Sequence, residues 1–381
     1  MFLFLKQGKL DPLTRALDYF IERQQRNKTW ELKLSDKDRY DKLLSQLTRS
    51  FARFVAILDR DYIFAWLDWD GDNVLADAGI IDYGSVRQFG LRHDQYRYDD
   101  VERMSTNLNE QCSKTREMMQ TFVQLVDFVK SGEKKPWRQF KNNPWLKEFD
   151  SQVKHFTLDR LLYQVGFPEP LRRILLNKHR REVEAFFKIH GEFERQKTHR
   201  KLKKVADGVH RPAIFNMRLA LAQMSDYLHG LPFEMFPPVE SREFFSWILT
   251  GQANAKDSRL TAAWRRRITL WQKCYVKLVR KVSGPATWDK TTQLIATRAS
   301  RINHGERITG NALIHIVDEI LRFRRRGLSD AEVQVAIEEL ITAQTLNPDF
   351  KSPQFTQSES LKTLSIVSSF LSVVHGFRED I

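Results

Sequence analysis

A short acidic stretch at residues 68–73 precedes an apolar run, and a second apolar run ends in Asp82-Tyr83-Gly84. The side chains that carry oxygen ligands are, in chain order, Asp68, Asp70, Asp72, Asn73 and Asp82. Between the two runs, Asp77-Ala78-Gly79 predicts the turn of a hairpin, which would gather these oxygens at one end. Carboxylate and amide oxygens suit Mg²⁺, which usually takes one or two carboxylates together with substrate phosphates. The stretch therefore predicts a site for Mg²⁺ and a phosphate-bearing ligand.

An asparagine in a loop, followed by an aspartate at the end of the next strand, is the metal-binding arrangement of kinase-type sites. Asn73 and Asp82 match these two positions, and a further loop aspartate would orient the attacking hydroxyl or take its proton. The alternative is that the aspartates only cap and close turns, where acidic residues are common. The compound pattern of Asp-Asn, strand, turn, strand and Asp-Tyr-Gly favours the functional interpretation.

This pattern resembles the SelO (YdiU) family of protein adenylyltransferases, which have a kinase-like fold. The resemblance rests on Asp72-Asn73, on the spacing from Asn73 to Asp82, and on the strand end Ile81-Asp82-Tyr83-Gly84. It extends more loosely to the stretches 13–23, 40–44 and 96–100, and in all it covers residues 10–130.

The resemblance implies the transfer of AMP from ATP to serine, threonine or tyrosine hydroxyls of protein substrates. Asp72 would be the catalytic base, and Asn73 and Asp82 would bind Mg²⁺ and, through it, ATP. Asp68 is a rival base, because Asp68 and Asn73 have the Asp-x-x-x-x-Asn spacing of ordinary kinases and small-molecule phosphotransferases. The rival base would make the chain a kinase-type phosphotransferase.

The sequence also departs from the family. Trp66-Leu67 stands where the family usually has His-Gly, and the chain contains neither GxGxxG nor GxxxxGK[ST]. The family's glycine loop and its phosphate-contacting Lys and Arg lie in an N-terminal lobe, and this chain is expected to start after that lobe. We therefore expect an activity that is impaired or that depends on the missing lobe. The alternative is a pseudokinase, which has the fold but no catalytic activity.

The remaining pattern predicts a mainly α fold with a small β-hairpin. Apolar residues recur at helical spacing from Leu13 to Arg60, with a polar gap from Gln25 to Asp38. Past Gly90, helical periods return, with breaks at 131–136, 166–168 and 232–238. The predicted domains are a kinase-like C-lobe at 1–130 with its catalytic hairpin at 61–84, a long helical extension at 131–344, and a linker with a terminal helix at 345–381.

The net charge of +14 makes anionic partners worth considering. Residues 172–204 contain twelve lysines and arginines but four glutamates, and the stretch 264–281 surrounds a stripe of Trp264, Ile268, Trp271, Tyr275 and Leu278 with basic residues. Solvated outer faces of core-packed helices are the favoured interpretation, and a helical scaffold that binds RNA or an acidic protein is the alternative.

Two further features bound the class of protein. No window reaches the ~20 apolar residues of a membrane span, which predicts a cytoplasmic protein without a transmembrane segment. The two cysteines, Cys112 and Cys274, have no metal-ligand spacing, and we expect both to be buried thiols.

Overall fold

The computed structural model describes residues 1–65, 75–79, 86–92, 97–98, 108–198, 203–205, 208–211, 213–304, 311–351 and 368. Helices dominate these residues, which confirms the predicted mainly α fold. The chain packs as two compact units. The first contains Met1–Asp61, Ala65–Asp82 and Arg97–Thr157, and the second contains Tyr62–Phe64, Tyr83–Tyr96 and Leu158–Ile381. The units are defined by packing, and the division into domains at 130 and 344 stays a prediction.

The helices of the first unit have their own apolar core. They are α1 (Phe2–Lys6), α2 (Leu10–Arg26), α3 (Arg39–Arg60), α4 (Gln111–Ser131), a 3₁₀ helix (Trp137–Phe140) and the first half of α5 (Pro144–Val165). The two helices predicted on either side of residues 25–38 are α2 and α3. Each buries the apolar stripe that its spacing predicts, including Leu17 and Ile21 on α2 and Leu47 and Phe51 on α3.

Helix α4 packs against α3 in this core, and the rings of Phe51 and Phe122 lie 5.8 Å apart. It ends at Ser131, where the chain enters the left-handed region at Gly132 with φ +72°. The Gly132 amide donates to the Phe128 carbonyl, which is the usual way a glycine closes a helix. The break predicted at 131–136 is therefore a glycine-terminated helix end.

The second unit contains most of the chain's helices. After α5 they are α6 (Glu169–Lys178), α7 (Arg180–Glu194), α8 (Met217–His229), α9 (Ser241–Ile248), α10 (Ala262–Val282), a 3₁₀ helix (Pro285–Thr287), α11 (Trp288–Ile302), α12 (Asn311–Arg325) and α13 (Asp330–Gln344). The other two predicted breaks fall between α5 and α6 and between α8 and α9. Ser329 caps α13 in a capping box with Glu332.

The strands are short. They are β1 (Ile63–Ala65), β2 (Val86–Gln88), β3 (Arg97–Tyr98), β4 (Lys203–Val205) and β5 (Gly208–His210). Strands β1 and β2 are hydrogen-bonded neighbours, and β4 pairs antiparallel with β5, with Lys204 opposite Val209. The sequence predicted an extended segment at β1 but gave little sign of the β4–β5 pair.

Aromatic side chains fill the centre of the second unit, where α7 packs on α10. The rings of Phe186, Trp271 and Tyr275 are fully buried and lie within 5.4 to 5.9 Å of one another. The apolar stripe of residues 264–278 therefore faces the core, and the basic residues between its members lie on the outer side of α10. The prediction of a core-facing helix with a charged outer face is confirmed.

The chain after α13 returns to the second unit. Arg298 on α11 forms a bidentate ion pair with Asp349, and Tyr163 donates to the carbonyl of Leu346 at 3.2 Å. The hydrogen bond from Arg298 lowers the pKa of the Asp349 carboxyl, so this pair persists at neutral pH. The start of the predicted linker is thus attached to α5 and α11. The predicted terminal helix lies outside the described residues, apart from Ser368.

Candidate functional site

The predicted catalytic and metal-binding residues, Asp68, Asp72, Asn73 and Asp82, lie outside the described residues. The structure does describe the turn between them, at Leu75–Gly79, and the two strands on either side, β1 and β2. These elements flank the acidic residues in the sequence.

The predicted turn at Asp77-Ala78-Gly79 is present. The Leu75 amide donates to the Gly79 carbonyl at 2.8 Å, and the Ala78 amide donates to the Leu75 carbonyl at 2.9 Å. Ala78 has a φ of +68°, in the left-handed region, and the Asp77 carboxylate accepts the Gly79 amide at 3.2 Å. The Asp77 side chain therefore stabilises the turn by accepting a backbone amide two residues later in the chain.

The turn is held against the core of the first unit. Gln24 on α2 donates from Nε2 to Oδ2 of Asp77 at 3.3 Å, and the Gln24 side chain is buried. Ala76 and Ala78 pack against the same core. The turn at residues 75–79 is thus held in place by a side-chain hydrogen bond from α2 and by apolar contacts with the core of the first unit.

The paired strands β1 and β2 flank the acidic segment in the sequence. The amide of Phe89, just after β2, donates to the carbonyl of Tyr62, just before β1, at 3.0 Å. The rings of Phe64 and Phe89 are buried and stack at 6.4 Å. Ala65 at the end of β1 precedes Asp68 by three residues, and Asp82 precedes Val86 at the start of β2 by four. The predicted catalytic residues therefore lie close along the chain to a hydrogen-bonded strand pair.

A buried hydrogen-bond chain holds Tyr62. Its hydroxyl donates to Oε1 of Glu194 at 2.5 Å, and the same oxygen lies 3.1 Å from Nε2 of His190. On the far side of the imidazole, Nε1 of Trp271 donates to Nδ1 of His190 at 3.3 Å. All four side chains are at most 2% exposed. These hydrogen bonds connect α10 and α7 to Tyr62, the residue just before β1.

The direction of these bonds follows from the chemistry of the indole. Trp271 Nε1–H can only donate, so Nδ1 of His190 accepts. The neutral imidazole then carries its proton on Nε2 and donates it to the Glu194 carboxylate, which also accepts the Tyr62 hydroxyl. A carboxylate with two donors is the arrangement that a buried acidic group requires.

Two buried arginines lie beside Tyr62. The guanidinium of Arg218 on α8 is 4.8 Å from the centre of the Tyr62 ring, and that of Arg92 is 5.9 Å away. Both arginines are less than 5% exposed, and Lys197 donates to the carbonyl of Arg92. A guanidinium near the face of an aromatic ring is attracted by the negative potential of that face, so both arginines stabilise the buried Tyr62 ring.

This cluster was not predicted from the sequence. One sign of it is present in the sequence. His190 and Glu194 are four residues apart, which places them on the same helix face as Phe186 and Phe193. A titratable pair on an otherwise apolar helix face indicates a buried polar contact. The partners Tyr62 and Trp271 carry no such signal, because they lie far away in the sequence.

The described residues offer no second site of obvious chemistry. Among them, no group of three or more His, Cys, Asp or Glu side chains could hold a metal ion. The two cysteines are half-buried and unpaired, and burial raises the pKa of the Cys112 thiol to about 11, so a nucleophilic thiolate is scarce at neutral pH. Within the part of the chain that the structure describes, no helix is both long and apolar enough to cross a bilayer.

No protein-family model matches the chain, and neither a curated protein nor a solved structure matches it.

Proposed function

We propose that this chain is the kinase-like C-lobe of a cytoplasmic enzyme that transfers AMP from Mg-ATP to serine, threonine or tyrosine hydroxyls of proteins. The observation that carries the proposal is the spacing of Asp72-Asn73 and Asp82 around a turn that is fixed in place. Support also comes from the strand pair β1–β2, whose strands flank in the sequence the segment that contains these residues.

The residues have distinct roles in this reaction. Asp72 takes the proton of the attacking hydroxyl, and the hydroxyl oxygen then forms a bond to the α-phosphorus while the bond from that phosphorus to the leaving pyrophosphate breaks. Asn73 and Asp82 supply hard oxygen ligands, a donor set that suits Mg²⁺. The bound ion would neutralise the charge of the phosphates. The protein's contribution is positioning and electrostatics.

A test of the reaction type uses ATP labelled separately at the α and γ phosphates. We expect label in the protein product from α-labelled ATP and none from γ-labelled ATP, because AMP transfer keeps only the α phosphate. Mass spectrometry of the modified peptide supplies the control, since it distinguishes an added AMP from an added phosphate. Incorporation from the γ position alone would establish phosphate transfer instead and favour Asp68 as the base.

A second candidate function is a helical scaffold that binds RNA, and the outer face of α10 favours it. Helix α10 contains no acidic residue, and Arg265, Arg266 and Lys273 are exposed. Its other exposed cations face α7, where Arg267 pairs with Glu192 and both Lys277 and Lys281 lie near Glu182. The first three side chains form no ion pair with the described residues, so their charge is open to an anionic partner.

The aromatic residues of this region decide what kind of RNA contact is available. Phe186, Phe193, Trp271 and Tyr275 are buried in the core, so none of them offers a stacking surface for unpaired bases. The face would therefore contact phosphates alone, which is the recognition expected of an RNA duplex bound without sequence preference.

Neutralising these cations tests the scaffold. The triple variant Arg265→Gln, Arg266→Gln and Lys273→Gln should bind duplex RNA more weakly, and the slope of log affinity against log salt should become shallower by ~2 to 3. The control is Lys9→Gln, Arg15→Gln and Lys28→Gln, which removes the same charge from exposed positions in the first unit. Equal loss in both variants would mean that net charge, and not this face, binds RNA.

A further inference from the structure

We propose that α12 is the contact surface of a weak dimer, in which a second copy of this chain packs antiparallel against the outer face of the helix. This outer face consists of Val317, Asp318, Leu321 and Arg325, which are all exposed. Helix α12 belongs to the second unit, and its self-association does not depend on the proposed function.

The other side of α12 is occupied by the chain itself. Ile316 is buried, and Arg324 pairs with Asp330 at the start of α13, which packs alongside α12. Helix α13 is attached in turn to α11, because Arg301 donates to the carbonyl of Thr342 at 3.3 Å. Neighbours within the second unit therefore set the orientation of α12, and its outer face is turned toward solvent.

Two apolar side chains lie on the outer face. Val317 is 49% exposed and Leu321 is 43% exposed, and their spacing of four residues makes them neighbours along one side of the helix. A single exposed leucine is ordinary on a protein surface. A strip of apolar side chains with charged residues beside it is instead the pattern by which one helix packs on another.

The charges beside this strip decide which partner fits. Asp318 and Arg325 are seven positions apart, so they lie within ~20° of one line along the helix. Among the residues that the structure describes, neither of them forms an ion pair, whereas Arg322 pairs with Glu319 in the same helix. The outer face thus has an anion near one end and a cation near the other, each open to a partner.

An antiparallel copy of the same helix satisfies both charges at once. Leu321 lies midway between Asp318 and Arg325 along the chain. When a two-fold axis passes beside Leu321, each Arg325 lies opposite Asp318 of the other copy, and the two Leu321 side chains meet. A parallel pair would instead place like charges at the same level. The face is therefore complementary to itself, which is the property that a two-fold interface requires.

The size of the face limits the strength of the dimer. Helix α12 has 15 residues and is therefore ~22 Å long. One helix of this length buries less than the ~800 Å² per partner of a standard interface, so we expect a dissociation constant in the micromolar range. Monomer and dimer should then both be populated at ~1 to 100 μM of the full chain.

Sedimentation equilibrium of the full chain over this range measures the association. In the Leu321→Ser variant, we expect the dissociation constant to rise at least about tenfold, because both copies lose an apolar contact at the axis. The matched control is Leu294→Ser on α11, since Leu294 is exposed to the same extent, at 44%. This control should leave the dissociation constant unchanged.

A charge exchange tests the antiparallel arrangement. Arg325→Glu should weaken the dimer at least about threefold, because it places two carboxylates opposite each other at both ends of the contact. Adding Asp318→Arg to the same chain reverses both charges and should restore the wild-type dissociation constant. A double variant as weak as Arg325→Glu alone would refute the pairing of these residues.

Two further outcomes would overturn the inference. Equal weakening by Leu294→Ser would place the contact elsewhere or make it unspecific. A wild-type chain that stays monomeric at all these concentrations would refute the dimer. If Leu321→Ser then also lowered the unfolding temperature of that monomer, another part of this chain would be the occupant of the face.

Discussion

Replacing Gly166 with alanine is expected to destabilise the second unit severely, by about 3 to 5 kcal/mol. Gly166 ends α5 with a φ of +106°, a backbone conformation that side chains other than glycine rarely adopt. A Cβ at this position would lie 2.4 Å from the carbonyl oxygen of Ile295 and 3.1 Å from the amide nitrogen of Ala299. Both neighbours are backbone atoms of α11, so the methyl group has nowhere to go unless the two helices separate.

The separation would break other contacts at the same place. Arg298 donates to the carbonyl of Gly166 at 2.9 Å, and Asn303 donates to the carbonyl of Gln164 at 2.8 Å. Both arginine and asparagine are buried, so losing these bonds leaves polar groups without compensation. The close approach of α5 and α11 is therefore fixed by the missing side chain and by two buried donors together.

Gly132→Ala is the matched control for this prediction. Gly132 also ends a helix in the left-handed region, with a φ of +72°, but a Cβ there would meet no atom within 4 Å. We expect a loss of about 1 kcal/mol, the conformational cost alone. Chemical denaturation followed by circular dichroism measures both variants. Equal losses would show that steric contact with α11 contributes nothing.

Local signals in the sequence were sufficient for much of the helical structure. Helices α2 and α3 were predicted because their apolar residues repeat every three to four positions, and this repeat is what burial against one core requires. The breaks at Gly132 and Gly166 and the capping box at Ser329 are likewise set by single residues and their immediate neighbours. The turn at residues 77–79 belongs to the same class.

Long-range contacts were out of reach of such reasoning. Tyr62 and Glu194 are 132 positions apart, and His190 and Trp271 are 81 apart, so no local pattern relates them. The β4–β5 pair is also hidden, since Lys203-Lys204-Val205 has neither the alternation nor the apolar character of a typical strand. Similarly, nothing in the residues around Gly166 reveals that α11 passes 2.4 Å from the position of its absent Cβ.

The candidate site divides in the same way. The acidic segment and its turn could be predicted because their residues are contiguous. The hydrogen bonds from Gln24 to Asp77 and from Tyr62 to Glu194 became visible only in the packed structure. Candidate catalytic residues can be recognised from short sequence motifs. Residues that contact them through the fold are distant in the sequence, so no local motif reveals them.

Asp82→Asn is expected to reduce both Mg-ATP binding and AMP transfer by at least about 100-fold, if Asp82 binds the metal as proposed. The substitution keeps the size of the side chain and removes one negative charge that faces the metal. Asp77→Asn is the control, because it makes the same charge change only five residues away. The oxygen of an asparagine at position 77 can still accept the Gly79 amide, and the Gln24 amide can turn its oxygen toward the new NH₂ group, so both hydrogen bonds of Asp77 have an equivalent in the variant. Unchanged Mg-ATP affinity in Asp82→Asn would count decisively against the proposed site.

The base is assigned by comparing Asp72→Asn with Asp68→Asn in the same assay. Loss of a general base slows the chemical step by ~10²- to 10⁴-fold while substrate binding is largely kept, so the true base should lower kcat with little effect on the affinity for Mg-ATP. If AMP transfer is the reaction, Asp72→Asn should show this pattern and Asp68→Asn should stay near the wild-type rate. The reverse result, together with label from the γ phosphate, would identify a phosphotransferase that uses Asp68. Because the two aspartates are four residues apart in one segment, each variant also controls for the charge of the other.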